Sequence, residues 1–163
     1  MNNKTVTINS MQGHLFQCQI QPEWIDYNGH LRDAYYGLLF SYAVDDFMLA
    51  IGITEHYRQT VGGTFYVAED HRFYYREVRG DGFARVQNCV LDFDAKRVQL
   101  LQRLYAGDES DAAAVCESMQ MHIVQKPEPK LAIMSDAIQL KLKEFTVPDA
   151  EPIADIIKIR RRT

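Results

Sequence analysis

Between Met11 and Ile20 the chain alternates, with His14, Phe16, Cys18 and Ile20 on one side, and that two-residue period predicts a strand. Gln21-Pro22-Glu23 ends it. Trp24 to Arg32 is irregular, with Asn28-Gly29 as a turn signal. From Asp33 the period changes. Tyr35, Leu38, Leu39, Tyr42 and Leu49 recur at helical spacing, and so do Tyr36, Phe40, Ala43 and Phe47. Two apolar stripes predict a helix buried on most sides, ending near Gly52. Asp45 and Asp46 interrupt it and are expected to face polar surroundings or solvent. A shorter helix is expected over Thr54 to Thr60, closed by Gly62-Gly63.

After Gly63 the pattern returns to strands. Phe65, Val67, His71, Phe73 and Tyr75 alternate with Tyr66, Asp70, Arg72 and Arg76. Gly80-Asp81-Gly82 is a turn, and Phe83 to Phe93 is the next strand. Asp94-Ala95-Lys96 turns the chain into Arg97 to Tyr105, and Gly107 to Asp111 turns it into Ala113 to Val124. Pro127 and Pro129 break the pattern. Ser135 is placed to cap a helix running through Lys143. The tail from Thr146 ends in Arg160-Arg161-Arg162, most simply a solvated run.

This order, strand, long apolar helix, then four strands in a meander, predicts an α+β domain with an antiparallel sheet wrapped around the helix. One domain is expected over 1–163, with a core at about 11–126 and a C-terminal helix and tail at 130–163. Open sheet edges predict self-association. Charge and composition narrow the function. Across 163 residues, 18 Lys+Arg against 22 Asp+Glu leave a formal charge of -4, which argues against nucleic acid as a partner. No run approaches the roughly 20 apolar residues of a membrane span, and Met1 to Ser10 lacks a hydrophobic signal core. Cys18, Cys89 and Cys116 form no C-x-x-C pair, as expected of a cytoplasmic protein with buried thiols. There is no G-x-S-x-G, Walker loop, G-x-G-x-x-G or H-E-x-x-H, so no metal or redox cofactor is implied.

The chemistry concentrates in Trp24-Ile25-Asp26-Tyr27-Asn28-Gly29-His30-Leu31-Arg32-Asp33-Ala34-Tyr35-Tyr36. An acid, Asp26, sits in a glycine-containing loop ahead of a buried helix. The first N–H groups of a helix have no internal partners and carry the positive end of its dipole. They can hold a carbonyl oxygen as it becomes an oxyanion while a carboxylate attacks the carbon or activates water. Asp26 also has a plain reading as a turn residue, His30 as a structural hydrogen-bonder, and Asp33 as a charge placed on the helix dipole.

This segment resembles the hotdog-fold acyl-CoA thioesterases of the 4-hydroxybenzoyl-CoA thioesterase type. Their signature, roughly D-x-x-G-H-[VM]-N-N-A-x-Y, is matched by Asp26, Gly29, His30, Ala34 and Tyr36, with Arg32 and Asp33 in place of the two asparagines. Glu77-Val78-Arg79-Gly80-Asp81 is also similar to the family's second strand and its G-D turn. Trp24 to Tyr36, Phe40-Ser41, and Tyr57-Arg58 through Gly62-Gly63 resemble, more narrowly, the betainyl-CoA thioesterases of carnitine breakdown.

The resemblance implies a hotdog fold and hydrolysis of an acyl-CoA thioester, with coenzyme A as part of the substrate and no further cofactor. It implies Asp26 as nucleophile or base, His30 beside it, and the backbone N–H near Asp33 as oxyanion donor. It also implies a homodimer or tetramer, with the site between subunits. A trimethylammonium acyl group is best held by aromatic faces. Trp24, Tyr27, Tyr35, Tyr36 and Tyr66, with Asn28, are the substrate-binding candidates. Arg72 and Arg76, and less directly Lys126 and Lys130, are candidates for the CoA phosphates. A hotdog hydratase or dehydratase is one alternative, although Asp26-Tyr27-Asn28-Gly29-His30 is one residue shorter than D-x-N-P-x-H and lacks its proline. A non-catalytic acyl-CoA-binding module is another.

Overall fold

A computed structural model of the chain describes residues 13–148, 150–153 and 157–159. The start of the first expected strand at Met11 and the Arg160-Arg161-Arg162 run lie outside the described residues. The elements are β1 (His14–Gln19), a 3-10 turn (Pro22–Trp24), α1 (Asp33–Ala50), α2 (Glu55–Thr60) and β2 (Gly63–Tyr74). They continue with β3 (Phe83–Phe93), β4 (Arg97–Ala106), β5 (Ala114–Val124), β6 (Lys130–Leu131) and α3 (Asp136–Glu144). Thr54 and Ser135 cap α2 and α3. Their hydroxyl oxygens accept from the N–H groups of Tyr57 and Ile138 at 3.2 and 3.4 Å.

The strands form one antiparallel sheet in the order β1-β3-β4-β5-β2, with β6 added to β5. The expected α+β arrangement holds, but the four-strand meander does not. β3, β4 and β5 run as a meander, whereas β2 crosses to the far edge and pairs β5 along Gly63 to Tyr74. Local periodicity identifies β2 as a strand and says nothing about its neighbour, which is a long-range choice.

α1 lies across the inner face. Tyr36, Leu39, Phe40 and Ala43 pack with Ala84 and Val86 of β3 and Leu104 of β4. Further along, Val44, Phe47, Met48 and Ile51 pack with Val90, Val98 and Leu100, and with Met134, Ile138 and Leu142 of the α3 region. Two buried amides fix the register of helix on sheet. Asn88 Nδ2 donates to the Ala43 carbonyl at 3.2 Å, and Gln102 Nε2 donates to the Phe40 carbonyl at 2.9 Å and to Asn88 Oδ1 at 2.8 Å. Both amides are almost wholly buried, so each hydrogen bond offsets a desolvation cost that a shifted helix would leave uncompensated.

The outer face carries a second layer. Glu117, buried on β5, accepts from Gln99 Nε2 at 2.8 Å and from the Ile153 N–H at 2.7 Å, while Gln99 also donates to the Ile157 carbonyl. Ile157 and Ile159 cover Met119 there. No helix among the described residues is long and apolar enough to cross a membrane.

Candidate active site

The loop ahead of α1 is a small closed hairpin. Ile25 bridges Leu31, the Asp26 N–H donates to the His30 carbonyl at 2.8 Å, and the Arg32 N–H donates to the Trp24 carbonyl at 3.0 Å. Its tip turns at Gly29, whose φ of +80° is a left-handed conformation that favours glycine. The loop is pinned to the segment after β2. The Leu31 N–H donates to the Val78 carbonyl at 2.7 Å, His30 bridges Arg79, and the Val78 N–H donates to the Tyr36 hydroxyl at 3.1 Å.

Within this frame Asp26 Oδ1 accepts from the Asn28 N–H at 2.8 Å and the His30 N–H at 3.0 Å. Oδ2 has no hydrogen bond to a described residue. The His30 N–H, joined by that of Asn28 and by the nearby His30 and Arg32 side chains, holds the Asp26 carboxyl below the usual carboxylate range. Asp26 is therefore an anion at neutral pH, with one oxygen fixed by the loop and the other free. Asp33 opens α1, and its own Oδ1 accepts from the Ala34 N–H at 2.8 Å. The Asp33 N–H forms no hydrogen bond to a described residue, and Arg32 supplies no side-chain cap. A carboxylate and the unbonded first N–H of the helix thus stand seven positions apart along one hairpin.

The remaining expected residues divide. The His30 side chain pairs with Glu77, its Nε2 meeting the exposed carboxylate at 3.1 Å. Glu77 was not singled out in the sequence; only the docking of the loop on 77–79 brings it here. Trp24 is buried and stacks on Tyr35, with ring centroids 5.6 Å apart and an interplanar angle of 18°. Tyr36 meets Tyr74 edge-on at 5.2 Å. Tyr27 is 93% exposed, and Asn28 is exposed beside it.

Tyr66 lies near the start of β2, about 26 Å along the strand from Tyr74 at about 3.3 Å per residue. The five expected rings therefore do not gather around one point within a single protomer. Arg76 pairs with Glu109 at 3.0 Å and donates to the Asp111 carbonyl. Arg72 pairs with Asp70 at 2.6 Å and lies against Gly37, where an added Cβ would meet its Nη1 at 2.5 Å.

Arg72 and Asp70 belong to a cavity of about 130 Å³ between α1 and the β2–β5 half of the sheet. Opposed residues on β2 and β5 share a face, so Asp70 and Arg72 stand with Ser118 and Cys116 on the inner side. Burial pushes the Cys116 thiol up to about 12, which makes it a poor nucleophile. A larger open depression of about 540 Å³ lies over Phe16, Tyr42, Leu49 and Arg58 and shares Asp45 and Met48 with the cavity. The polar stripe Cys116, Ser118, Gln120, at period two inside a buried strand, was visible in the sequence and not singled out. Among the described residues no cluster of three or more His, Cys, Asp or Glu is arranged to hold a metal.

Residues 20–142 match the profile of the thioesterase-like superfamily. Over 108 residues the chain is 37% identical to the betainyl-CoA thioesterase of Pseudomonas aeruginosa, covering 66% of this chain and 68% of that protein. A protein of Staphylococcus aureus solved in complex with CoA superposes with a TM-score of 0.77 at 24% identity, covering 95% of this chain and all of that one. A candidate thioesterase of Pseudomonas putida superposes at 0.75 with 27% identity, covering 94% and 99%. The fold they share with this chain is the hotdog: an antiparallel sheet curled around one long helix.

Proposed function

The chain belongs to the thioesterase-like superfamily and is an acyl-CoA thioesterase, and on that premise we propose that it cleaves betainyl-CoA to glycine betaine and free CoA with Asp26 as nucleophile. The observation that carries this reading is the state of Asp26: ionised, Oδ1 held by two loop N–H groups, Oδ2 free, one hairpin away from an open helix N-terminus. A general base works best with a pKa near the operating pH, so a depressed pKa favours attack over proton abstraction. The acyl group is taken from the similarity to the Pseudomonas aeruginosa enzyme.

In this mechanism Oδ2 attacks the thioester carbon. The oxygen that becomes negative is received by the Asp33 N–H at the start of α1, a type of contact whose loss costs on the order of 10²–10³ in rate. The C–S bond breaks, and the CoA thiolate leaves and takes a proton from solvent. Water then hydrolyses the acyl-aspartyl anhydride and restores the carboxylate. His30, held by Glu77, positions the loop through its N–H. Arg76, which pairs with Glu109 on the surface, is the arginine we assign to the CoA phosphates, and Arg72 pairs with Asp70 beside Gly37.

Self-association completes the site in this reading. β2 forms one edge of the sheet and is 12 residues long, with Tyr66, Val67, Phe73 and Tyr74 exposed along it. A long unprotected edge of this kind is a template for a second strand. A second copy is also what would bring Tyr66 to the Asp26 loop. Sedimentation equilibrium is expected to read a multiple of 18.8 kDa, and a monomer at assay concentration contradicts this arrangement. The central test is thiol release from betainyl-CoA. Asp26→Asn lowers kcat/KM on the order of 10³-fold with an unchanged circular dichroism spectrum. Wild-type turnover in that variant removes Asp26 from the chemistry.

A further inference from the structure

We propose that Arg72, held in place by Asp70, is the stop that limits the length of the acyl group. Its guanidinium closes the near end of the cavity between α1 and the β2–β5 half of the sheet, so that short acyl groups are accepted and longer ones are turned away from the space behind. The inference rests on the thioesterase reading and adds to it what sets the acyl length.

All three elements that line the cavity run along it in the same sense. On α1 it begins at Gly37 and extends to Met48. On β2 it extends from Arg72 back to Phe65, and on β5 from Cys116, opposite Arg72, to Gln120, opposite Val67. The end formed by Gly37, Arg72 and Cys116 is therefore the one nearest Asp33. Glycine inside a helix is less favourable than alanine, so Gly37 needs a local reason. It leaves a notch in the helix surface, and Arg72 fills it: a Cβ at position 37 would lie 2.5 Å from Nη1 and 3.2 Å from Cζ. Arg72 Nη2 donates to Asp70 Oδ2 at 2.6 Å, which fixes the guanidinium in the notch and offsets its charge. The stop thus acts by size.

Gly37 lies about 6 Å along the helix axis from Asp33, at 1.5 Å per residue. An acyl carbonyl held on the Asp33 N–H and followed by three bonds of about 1.5 Å reaches roughly 4 Å, which brings its last atom up to the guanidinium. Betainyl and butanoyl groups share that reach. A hexanoyl group is two carbons longer and runs into Arg72. Behind the stop, Phe40, Val44, Phe65 and Val67 supply apolar walls. At about 30 Å³ per water, the 130 Å³ there is the room of about four waters, enough for the extra carbons once the end is open.

The test follows kcat/KM for butanoyl-CoA and hexanoyl-CoA, whose acyl groups carry no charge. Wild type is expected to favour butanoyl-CoA. Arg72→Ala opens the cavity, and at about fourfold per buried methylene the two further carbons raise the hexanoyl-to-butanoyl ratio on the order of tenfold. Adding Gly37→Leu to Arg72→Ala puts a side chain back into the notch and returns the ratio to the wild-type range. A residue that only supports the fold lowers both substrates together, so an unchanged ratio in Arg72→Ala overturns the proposal. So does a raised ratio that Gly37→Leu leaves in place. Should Arg72→Ala not fold, Asp70→Ala, which unties the guanidinium, carries the test: a raised ratio supports the stop and an unchanged one overturns it. If wild type hydrolyses neither ester, calorimetry with the same two esters decides. There Arg72→Ala must tighten hexanoyl-CoA over butanoyl-CoA by a similar factor, and no change overturns the stop. Absence of thiol release from betainyl-CoA as well is the separate failure of the thioesterase reading.

Discussion

The inner face of the sheet has two halves that share a backbone and differ in content. Under α1, β3 and β4 present Val86, Val90, Val98, Leu100 and Leu104, all fully buried. Towards the other edge, β5 and β2 present Cys116, Ser118, Gln120, Asp70 and Arg72 around a cavity. The difference is one of coverage. Five strands about 4.8 Å apart span roughly 19 Å between the outermost axes, while a helix with its side chains is about 10–12 Å across. A single helix seals about half of such a sheet. The sealed half becomes core, and the other half is free to carry polar groups around a cavity.

Core substitutions should therefore act differently on the two halves. Leu104→Ala, in the sealed half, leaves a void that the packed helix cannot fill and costs about 2–5 kcal/mol, read as a large drop in the urea midpoint. A loss under 1 kcal/mol breaks the picture of a close-packed half. Gln120→Leu, on the same face of the neighbouring strand, removes an acceptor that has no partner among the described residues. Stability is expected to hold or to rise by about 1 kcal/mol. A loss of several kcal/mol would place Gln120 in the core with Leu104.

The smallest expected effect separates the loop from both halves. The folded-state pKa of Asp26 is depressed, so the carboxylate persists as pH falls and activity is lost only as pH drops through that folded value. Since this lies below the ordinary Asp value of about 3.9, kcat/KM should stay flat from pH 7 to pH 5. An acid limb centred at pH 5 or above would contradict the two N–H contacts to Oδ1. By the same linkage, those contacts favour the folded state above the ordinary Asp pKa and lose that effect below it.

Much of this molecule was legible residue by residue. Phe83–Phe93 was expected as a strand to its last residue, and Asp33 as the first residue of the long helix, because periodicity and turn chemistry act over a few neighbours. The Asp26 loop was legible for a similar reason: seven positions from an acid to a helix start is a local distance. What stayed hidden depends on neighbours far along the chain. The partner of β2, the turning of His30 to Glu77, and the stacking of Trp24 on Tyr35 instead of around a ligand are of this kind.

The sequence by itself determined which segments are strands and helices and where an acid precedes an unpartnered helix end, since both follow from short-range sterics and hydrogen bonding. Only the tertiary structure decided which half of the sheet the helix seals. That placement results from long-range packing and from two buried amides, Asn88 and Gln102, that fix the helix register. It turns the alternating Cys116, Ser118 and Gln120 from an ordinary strand pattern into the wall of a cavity.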